Sequence, residues 1–253
     1  MPASTSRRLA LTAEALRFGA RHFAFVEKEI LGLSDWVAPG AVAIDIGAEY
    51  GLYAWTLADL VGADGQVVVV EPQPGLARAL RRNARLLGAV NVEVRSLALS
   101  DVTGEGSLSQ PQRGGLPVHG RTFLADDTSG LGSNAEFSAH RSISVPVETL
   151  DNLVSELGLE RVDFIKADVE GAEARLLAGG AETLRRFRPT LLVELEDRHL
   201  SRFDTTVAAV VEWLAGFGYT TSHWEPWTRG GAGSWLPGIA PGLAGRNVLF
   251  RAS

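Results

Sequence analysis

The sequence predicts one doubly wound α/β domain, a Rossmann-like sheet with helices on both faces. Three observations carry this expectation. Short apolar runs alternate with stretches of three- and four-residue periodicity along most of the chain, and strands that alternate with helices pair in parallel. A glycine-punctuated turn at residues 47–51 separates the first such run from the first such helix, where this architecture brings its backbone closest to a ligand. The chain has 253 residues, 45% of them hydrophobic, enough for one sizeable core.

Each element follows in order. Over residues 9–33, Leu16, Phe23, Val26 and Ile30 recur at helical spacing, which predicts one or two amphipathic helices in an N-terminal extension, residues 1–40. The main domain, 41–253, opens with a strand at 41–46 and a helix at 52–61. A second strand, 66–70, is closed by Glu71 and Pro72; a helix over 76–87 stops at Gly88, and a third strand begins at 92–94. Residues 102–142 break the pattern with Gly104, Gly106, Pro111, Gly114, Gly115, Pro117, Gly130 and Gly132, predicting a long inserted loop of the kind that serves function. Regular structure resumes with a strand at 143–147, a helix at 150–157 and a strand at 162–167. A helix at 172–177 is halted by Gly179 and Gly180, and a strand at 190–195 and a helix at 207–217 follow. Segments 219–223 and 247–250 predict a closing antiparallel pair around a Gly/Trp-rich loop.

Composition excludes several classes. A formal net charge of -6 and a pI near 5.4 argue against nucleic acid or an anionic membrane as partner, since either needs a concentrated positive field. Arg78, Arg81, Arg82 and Arg85 stand at helical spacing and read as a solvated helix face. The absence of cysteine removes disulfides, thiolate metal sites and cysteine nucleophiles. Residues 1–20 hold no apolar run fit for a signal peptide or membrane span, so the expectation is a soluble cytoplasmic protein. An oligomer is compatible with this composition.

The strongest local signal is DIGAEYG at 45–51. Its glycines let the backbone approach a ligand, and the helix after it offers unpaired N–H groups to a carboxylate such as that of a methionine moiety. Asp45 is then placed to receive the ammonium group of the same moiety. The spacing Gly47-x-x-x-Gly51 differs from the Gly-x-Gly-x-x-Gly of dinucleotide binders. Glu71, ending the second strand, suits both hydroxyls of a ribose lying across the sheet's switch point, and Pro72 can lie flat against adenine. Singly these are an ordinary tight turn and an exposed carboxylate; in this order within one βαβ unit they point to S-adenosylmethionine.

The sequence resembles the FkbM-like methyltransferases, S-adenosylmethionine-dependent enzymes many of which methylate hydroxyl groups of sugars or polyketide-derived natural products. The matching segments are DIGAEYGLY (45–53), VEP (70–72), ALSD (98–101), VPVETLDNL (145–153), DFIKADVEGAE (163–173) and LVELEDRHL (192–200). The resemblance implies a class I methyltransferase fold with a seven-stranded, mostly parallel sheet and an antiparallel final pair. It implies O-methylation of a sugar or small natural product, with Asp45, Gly47, Ala48, Gly51, Glu71 and Pro72 at the cofactor and Ala98 meeting adenine through its backbone. The chain departs from the family at Glu49, where Asn is usual; the added charge opposes a methionine carboxylate unless Glu49 turns outward, is protonated, or meets the ammonium group.

An alcohol acceptor must lose its proton, so a base belongs at the carboxyl ends of the parallel strands. Asp168 and Glu194 fall there, and His199 has the unperturbed pKa best suited to base work near neutrality. Plainer readings stand beside these: Asp168 as a helix cap, with Glu170 and Glu173 complementing the helix dipole. His119 and His140, in the long loop, are placed to line an acceptor pocket, although loop histidines with no motif around them read more readily as solvated. Asp168 with Glu194 also offers the hard oxygen ligands that Mg²⁺ takes, although two carboxylates alone do not specify a metal site. The 101–142 loop and a Trp loop with Trp224, Trp227 and Trp235 are expected to roof the acceptor pocket, the tryptophans covering the sheet edge more readily than stacking on a sugar. Two alternatives of other classes are a nicotinamide-dependent oxidoreductase and a catalytically silent ligand-binding or scaffold protein.

Overall fold

A computed structural model describes residues 6–126, 128–226, 233–239 and 246–252. Helix α1 (Arg7–His22) leads through two 3₁₀ turns, Lys28–Leu31 and Leu33–Asp35, into β1 (Val42–Ile46), α2 (Leu52–Val61), β2 (Gln66–Val70), α3 (Pro74–Leu87) and β3 (Val92–Arg95). A second group of strands follows: β4 (Ala98–Leu99), β5 (Gly104–Arg113), β6 (Leu116–Pro117), β7 (Phe123–Leu124) and β8 (Ala139–Glu148). The chain then runs through α4 (Leu150–Glu156), β9 (Phe164–Ala167), α5 (Glu173–Ala178), α6 (Ala181–Phe187), β10 (Thr190–Leu195), α7 (Asp197–Leu200), α8 (Val207–Gly216), β11 (Tyr219–Glu225), β12 (Ser234–Pro237) and β13 (Arg246–Ala252).

The main sheet has the order β12-β11-β13-β10-β9-β1-β2-β3. Its five strands from β10 to β3 pair in parallel, and β13, β11 and β12 join antiparallel. Alternate residues of each strand feed opposite cores. Ile44, Ile46, Val68, Val70, Ile165, Val193 and Phe250 pack with α4, α5, α6 and α8, whereas Ala43, Val67, Val69, Phe164, Leu192 and Leu249 pack with α1, α2 and α3. A sheet buried on both faces favours apolar side chains at nearly every position, which is why residues 67–70 of β2 are all valine, while β1 is interrupted only by Asp45.

The expected antiparallel pair β11/β13 is present with Tyr219 opposite Ala252. The expected count of seven strands is corrected to eight, because Ser234–Pro237 adds to β11 as an edge strand. The larger correction concerns 102–142. This segment is no irregular loop: β5, β6 and β7 lie in it, and β8 runs through 139–148 to pair with β5 over nine residue pairs from Gly104↔Val147 to Gln112↔Ala139. The strand expected at 143–147 therefore belongs to a second sheet, β4-β8-β5-β6. Its glycines and serines hid it: only one face is covered, by Leu108, Leu124, Val145 and Val147, so half of its positions are free to be small or polar.

The N-terminal helix is shorter than its periodicity suggests. It ends at Phe23, whose backbone is extended, and the 3₁₀ turns carry Ile30 and Leu33 onto α2's face of the sheet. Trp235 donates from its indole Nε1 to the Gly32 carbonyl at 3.1 Å and meets Trp224 edge-on at 5.2 Å. These two tryptophans thus tie the sheet edge to the N-terminal segment; Trp227 lies outside the described residues. Among the described residues no helix is long and apolar enough to cross a membrane.

One glycine is fixed by packing. Gly47 has φ +79, and a Cβ there would sit 1.7 Å from the Asp168 carbonyl oxygen, because the turns after β1 and β9 abut. Gly47→Ala is expected to lower unfolding free energy by about 3 kcal/mol, combining left-handed strain with backbone overlap; denaturant titration showing no loss would contradict this contact.

Candidate active site

A cleft of about 270 Å³ opens at the carboxyl ends of β1, β2, β9 and β10. The chain leaves β1 for β2 on one side and returns as β9 on the other, so this is the switch point where open α/β sheets bind ligands. Residues 119–124 of the second sheet's connections roof it.

On the β1/β2 side, Glu71 is the organising group. Its Oε2 accepts the Glu49 N–H at 2.9 Å and its Oε1 the Gln73 N–H at 2.8 Å, which staples the two turns together. Each oxygen keeps a further lone pair for a hydroxyl donor. Burial pushes this carboxyl up to about 7 against those two hydrogen bonds. Gln73 accepts on Oε1 from His119 Nδ1 at 2.6 Å and from Gln110 Nε2 at 2.8 Å, so the second sheet is clamped directly onto the end of β2. Leu97, Ala98, Leu99, Leu108 and Leu124 provide an apolar wall beside Pro72.

The turn itself differs from expectation. The N–H groups of Gly47 and Ala48 both point to the Val70 carbonyl, at 2.9 and 3.4 Å, and that of Gly51 to the Ala48 carbonyl at 2.7 Å. Together with the Glu49 N–H, these donors serve the protein's own turn. Gly47 lines the cleft, while Ala48, Gly51 and Asp45 stand behind its wall; Gly51 is required by Trp55, whose Nε1 a Cβ would meet at 2.4 Å. Asp45 is fully buried with Oδ2 unpartnered, and burial raises it to about 7 against the pull of Lys166. Glu49, at φ +48, turns its carboxylate toward Gly120 of the roof, and burial foremost, then Asp168, raises its pKa.

On the β9/β10 side, Asp168 and Glu194 share a hydrogen bond. Burial, reinforced by the charge of Asp168, pushes Glu194 up to about 10. Lys166, buried beneath them, brings Nζ to 3.8 Å from Asp168 Oδ2. Asp168 is not a helix cap, since Ala172 occupies that position for α5. Glu173 braces the loop between, its Oε1 accepting the N–H groups of Val169 and Gly171 at 3.1 Å each.

His199 departs from the role its unperturbed pKa suggested. Burial, with Arg202, Arg198 and Arg121 adding to it against Glu196, lowers it to about 4, so near neutrality the ring is uncharged and a weak base. Its Nδ1 lies 3.1 Å from Glu170 Oε2, and Glu170 is itself raised to about 9, chiefly by burial. This contact is a neutral pair rather than an ion pair.

Comparison with known proteins meets this geometry. A family model described as the methyltransferase FkbM domain matches residues 45–221, from the end of β1 into β11. The chain belongs to the FkbM methyltransferase family. It is similar to the 2-O-methyltransferase NoeI of Sinorhizobium fredii, 29% identical over 217 residues that cover 85% of this chain and 86% of that one. It is also similar to the 31-O-demethyl-FK506 methyltransferase FkbM of Streptomyces tacrolimicus, at 28% identity over 72% and 74% of the two chains. A crystal structure of methyltransferase FkbM from Methylobacillus flagellatus superposes with a TM-score of 0.49 at 15% identity, covering 84% of this chain and 44% of that one.

As an FkbM-family methyltransferase the protein has no further use for the nicotinamide reading. The expected residues Gly47, Glu71, Pro72, Ala98, Asp168, Glu194 and His199 line one cleft. His119, a candidate for the pocket that reads from sequence more readily as a solvated loop residue, lines it, whereas His140 meets Ser109 at 3.1 Å; sequence patterns gave no site role to Gln73, Arg121, Glu170, Glu196 and Arg198, which line it too. Of the tryptophans expected in the roof, Trp224 and Trp235 do not line the cleft, and Trp227 lies outside the described residues. Asp168, Glu170 and Glu194 approach within 4.8 Å of one another, the grouping considered for Mg²⁺. Each has a protein neighbour, Asp168 in Lys166 and Glu194, Glu170 in His199 and, at 3.8 Å, Arg202, and burial raises both Glu170 and Glu194.

The raised carboxyls fix a pH dependence. Glu194 ordinarily ionises near 4.5 and here near 10, so between those limits the folded state binds more protons than the unfolded one and stability falls as pH rises. Unfolding free energy is expected to decline from pH 5 to pH 9, and Glu194→Gln to make that decline shallower; parallel curves for the two proteins in urea titrations would contradict the assignment.

Proposed function

We propose that the FkbM-family cleft binds S-adenosylmethionine across β1 and β2 and methylates a hydroxyl group of a sugar or small natural product held over β9 and β10. What supports the reading most is a single juxtaposition: Glu71, with lone pairs to spare, and the Asp168–Glu194 pair line opposite ends of one cleft. The fit of the cofactor rests on the spare lone pairs of Glu71, on the apolar wall beside Pro72 and on the missing Cβ of Gly47. Two relatives bear names of O-methyl transfer, which favours oxygen as the atom methylated.

When bound, S-adenosylmethionine supplies an electrophilic methyl group on a positively charged sulfur. The chain's own residues then bind, deprotonate and enclose. Glu71 accepts from the ribose hydroxyls while Pro72 and the leucine wall surround the base. Asp168 would take the acceptor's hydroxyl proton as that oxygen gains the methyl carbon and the carbon–sulfur bond breaks, the sulfonium leaving as a neutral thioether, and Glu194, keeping its proton, would donate to Asp168 and fix its direction. The roof at 119–124 excludes water, which otherwise competes as acceptor. We place the reaction in the cytoplasm, a reading supported by the cysteine-free composition.

Calorimetry is expected to show S-adenosylmethionine binding, weakened about tenfold or more in Glu71→Gln through loss of charge-assisted hydrogen bonds. Unchanged affinity in that variant, or no binding by the parent, would sink the cofactor placement. Screening glycosides and hydroxylated metabolites with labelled methyl donor is expected to give oxygen-linked product. Asp168→Asn should then cut kcat about 10²- to 10⁴-fold while cofactor affinity holds, and retention of full turnover would remove Asp168 from the chemistry.

A further inference from the structure

The charge balance beneath the cleft floor singles out one side chain. Only two of the chain's 24 basic residues are lysines, Lys28 and Lys166, and Lys166 is 1% exposed in the middle of the main sheet. Its register neighbour on β1 is Asp45 and on β10 Leu192, which puts its side chain on the face that also carries Glu194, two residues beyond Leu192. The groups facing it come from every element packed there: Asp45 from β1, Asp168 after β9 and Glu194 from β10, with Glu27 and Glu29 from the N-terminal segment. The Tyr53 ring of α2 lies 5.0 Å from Nζ. Tyr53 in turn donates to Glu27 at 2.6 Å, as does Asn247 of β13 at 2.6 Å. The sole hydrogen bond Nζ makes among the described residues is to the Ala167 carbonyl, at 3.2 Å.

We infer that Lys166 is a positioning residue for methyl transfer, its buried ammonium holding Asp168 in place and in its charged form beneath the acceptor. This rests on the reading of Asp168 as the acceptor's base. A compact ammonium suits this role because it acts as a point charge toward several carboxylates at once, whereas a guanidinium directs a flat fork at one. Burial alone would neutralise a lysine, but the surrounding acids outweigh it and its pKa is raised. Lys166 therefore keeps its charge, and when Asp168 takes up the acceptor's proton, Glu27 and Asp45 remain beside Lys166 to answer that charge.

The two lysines make a direct test. In the unliganded protein labelled with ¹⁵N-lysine, one of two Nζ resonances should step with pH as the Asp168–Glu194 pair titrates, and the step should vanish in Asp168→Asn. A Lys166→Met variant, similar in length and apolar, should raise the pH at which that pair takes up protons by about one unit or more. With S-adenosylmethionine and methyl hexopyranosides as probes, kcat of Lys166→Met should fall about tenfold at neutral pH and recover at higher pH, with KM and calorimetric cofactor affinity within about threefold of the parent. Lys166→Arg should recover part of the charge effect. A merely structural role predicts loss at every pH without recovery. A flat Nζ resonance in the parent, or a folded Lys166→Met with parental titration, overturns the inference even if Lys166→Met yields no usable rate data. Full turnover in Asp168→Asn is a separate result that defeats the base assignment itself.

Discussion

A buried ammonium facing buried acids is the constraint on which the carboxyl edge of this sheet depends. Asp45, Lys166 and Glu194 stand on one face of three adjacent strands, and taking such charges out of water costs several kcal/mol apiece unless they answer one another. Lys166 sits at their centre. Asp45 lies in register beside it, Asp168 3.8 Å from its Nζ, and the N-terminal segment contributes Glu27 through Tyr53 and Asn247. Burial foremost raises Asp45, Glu71, Glu170 and Glu194 above the usual carboxylate range.

Geometry at the switch point comes from a second constraint, the contact between two turns. With no Cβ on Gly47, the backbone after β1 reaches the Asp168 carbonyl, so the turns after β1 and β9, which line the two halves of the cleft, are set by one packing contact. Glu71 then locks the β1 turn to the end of β2 through the Glu49 and Gln73 amides. The same carboxylate that suits a ribose is thus a staple of the protein's own backbone. These two roles do not compete, because a carboxylate oxygen accepts more than one donor.

The second sheet turns an open edge into a cleft. β5 and β8 form a long antiparallel ribbon whose connections, residues 119–124, fold back over the main sheet. His119 and Gln110 hold Gln73 from above, and Asn134 accepts on Oδ1 from Arg121 Nε at 3.0 Å while its Nδ2 donates to the Arg121 carbonyl at 2.7 Å. The roof is therefore anchored by buried polar contacts rather than laid loosely over the site. Arg202 lies behind it, fully buried with its guanidinium carbon 4.2 Å from the Phe123 ring centre.

The sequence by itself determined the parallel strands of the main sheet, the switch point and which acidic residues stand at its strand ends, because those follow from local pattern. Apolar runs such as 66–70 must be strands buried on both faces, and DIGAEYG, VEP and DVEGAE stand where those strands stop. Tertiary structure alone decided the rest. The ribbon in 102–142 is held by cross-strand pairing between residues far apart in sequence, with one face in water, and so carries neither the apolar run nor the helical period that marks the other elements. For the same reason His119, Gln73 and Arg121 looked like ordinary loop or helix-end residues: nothing local shows which side chains a distant sheet will bring to them. His199 shows the matching limit for charge, since its residue type suggested a base while its burial among arginines, a property of the assembled fold, removed its proton affinity.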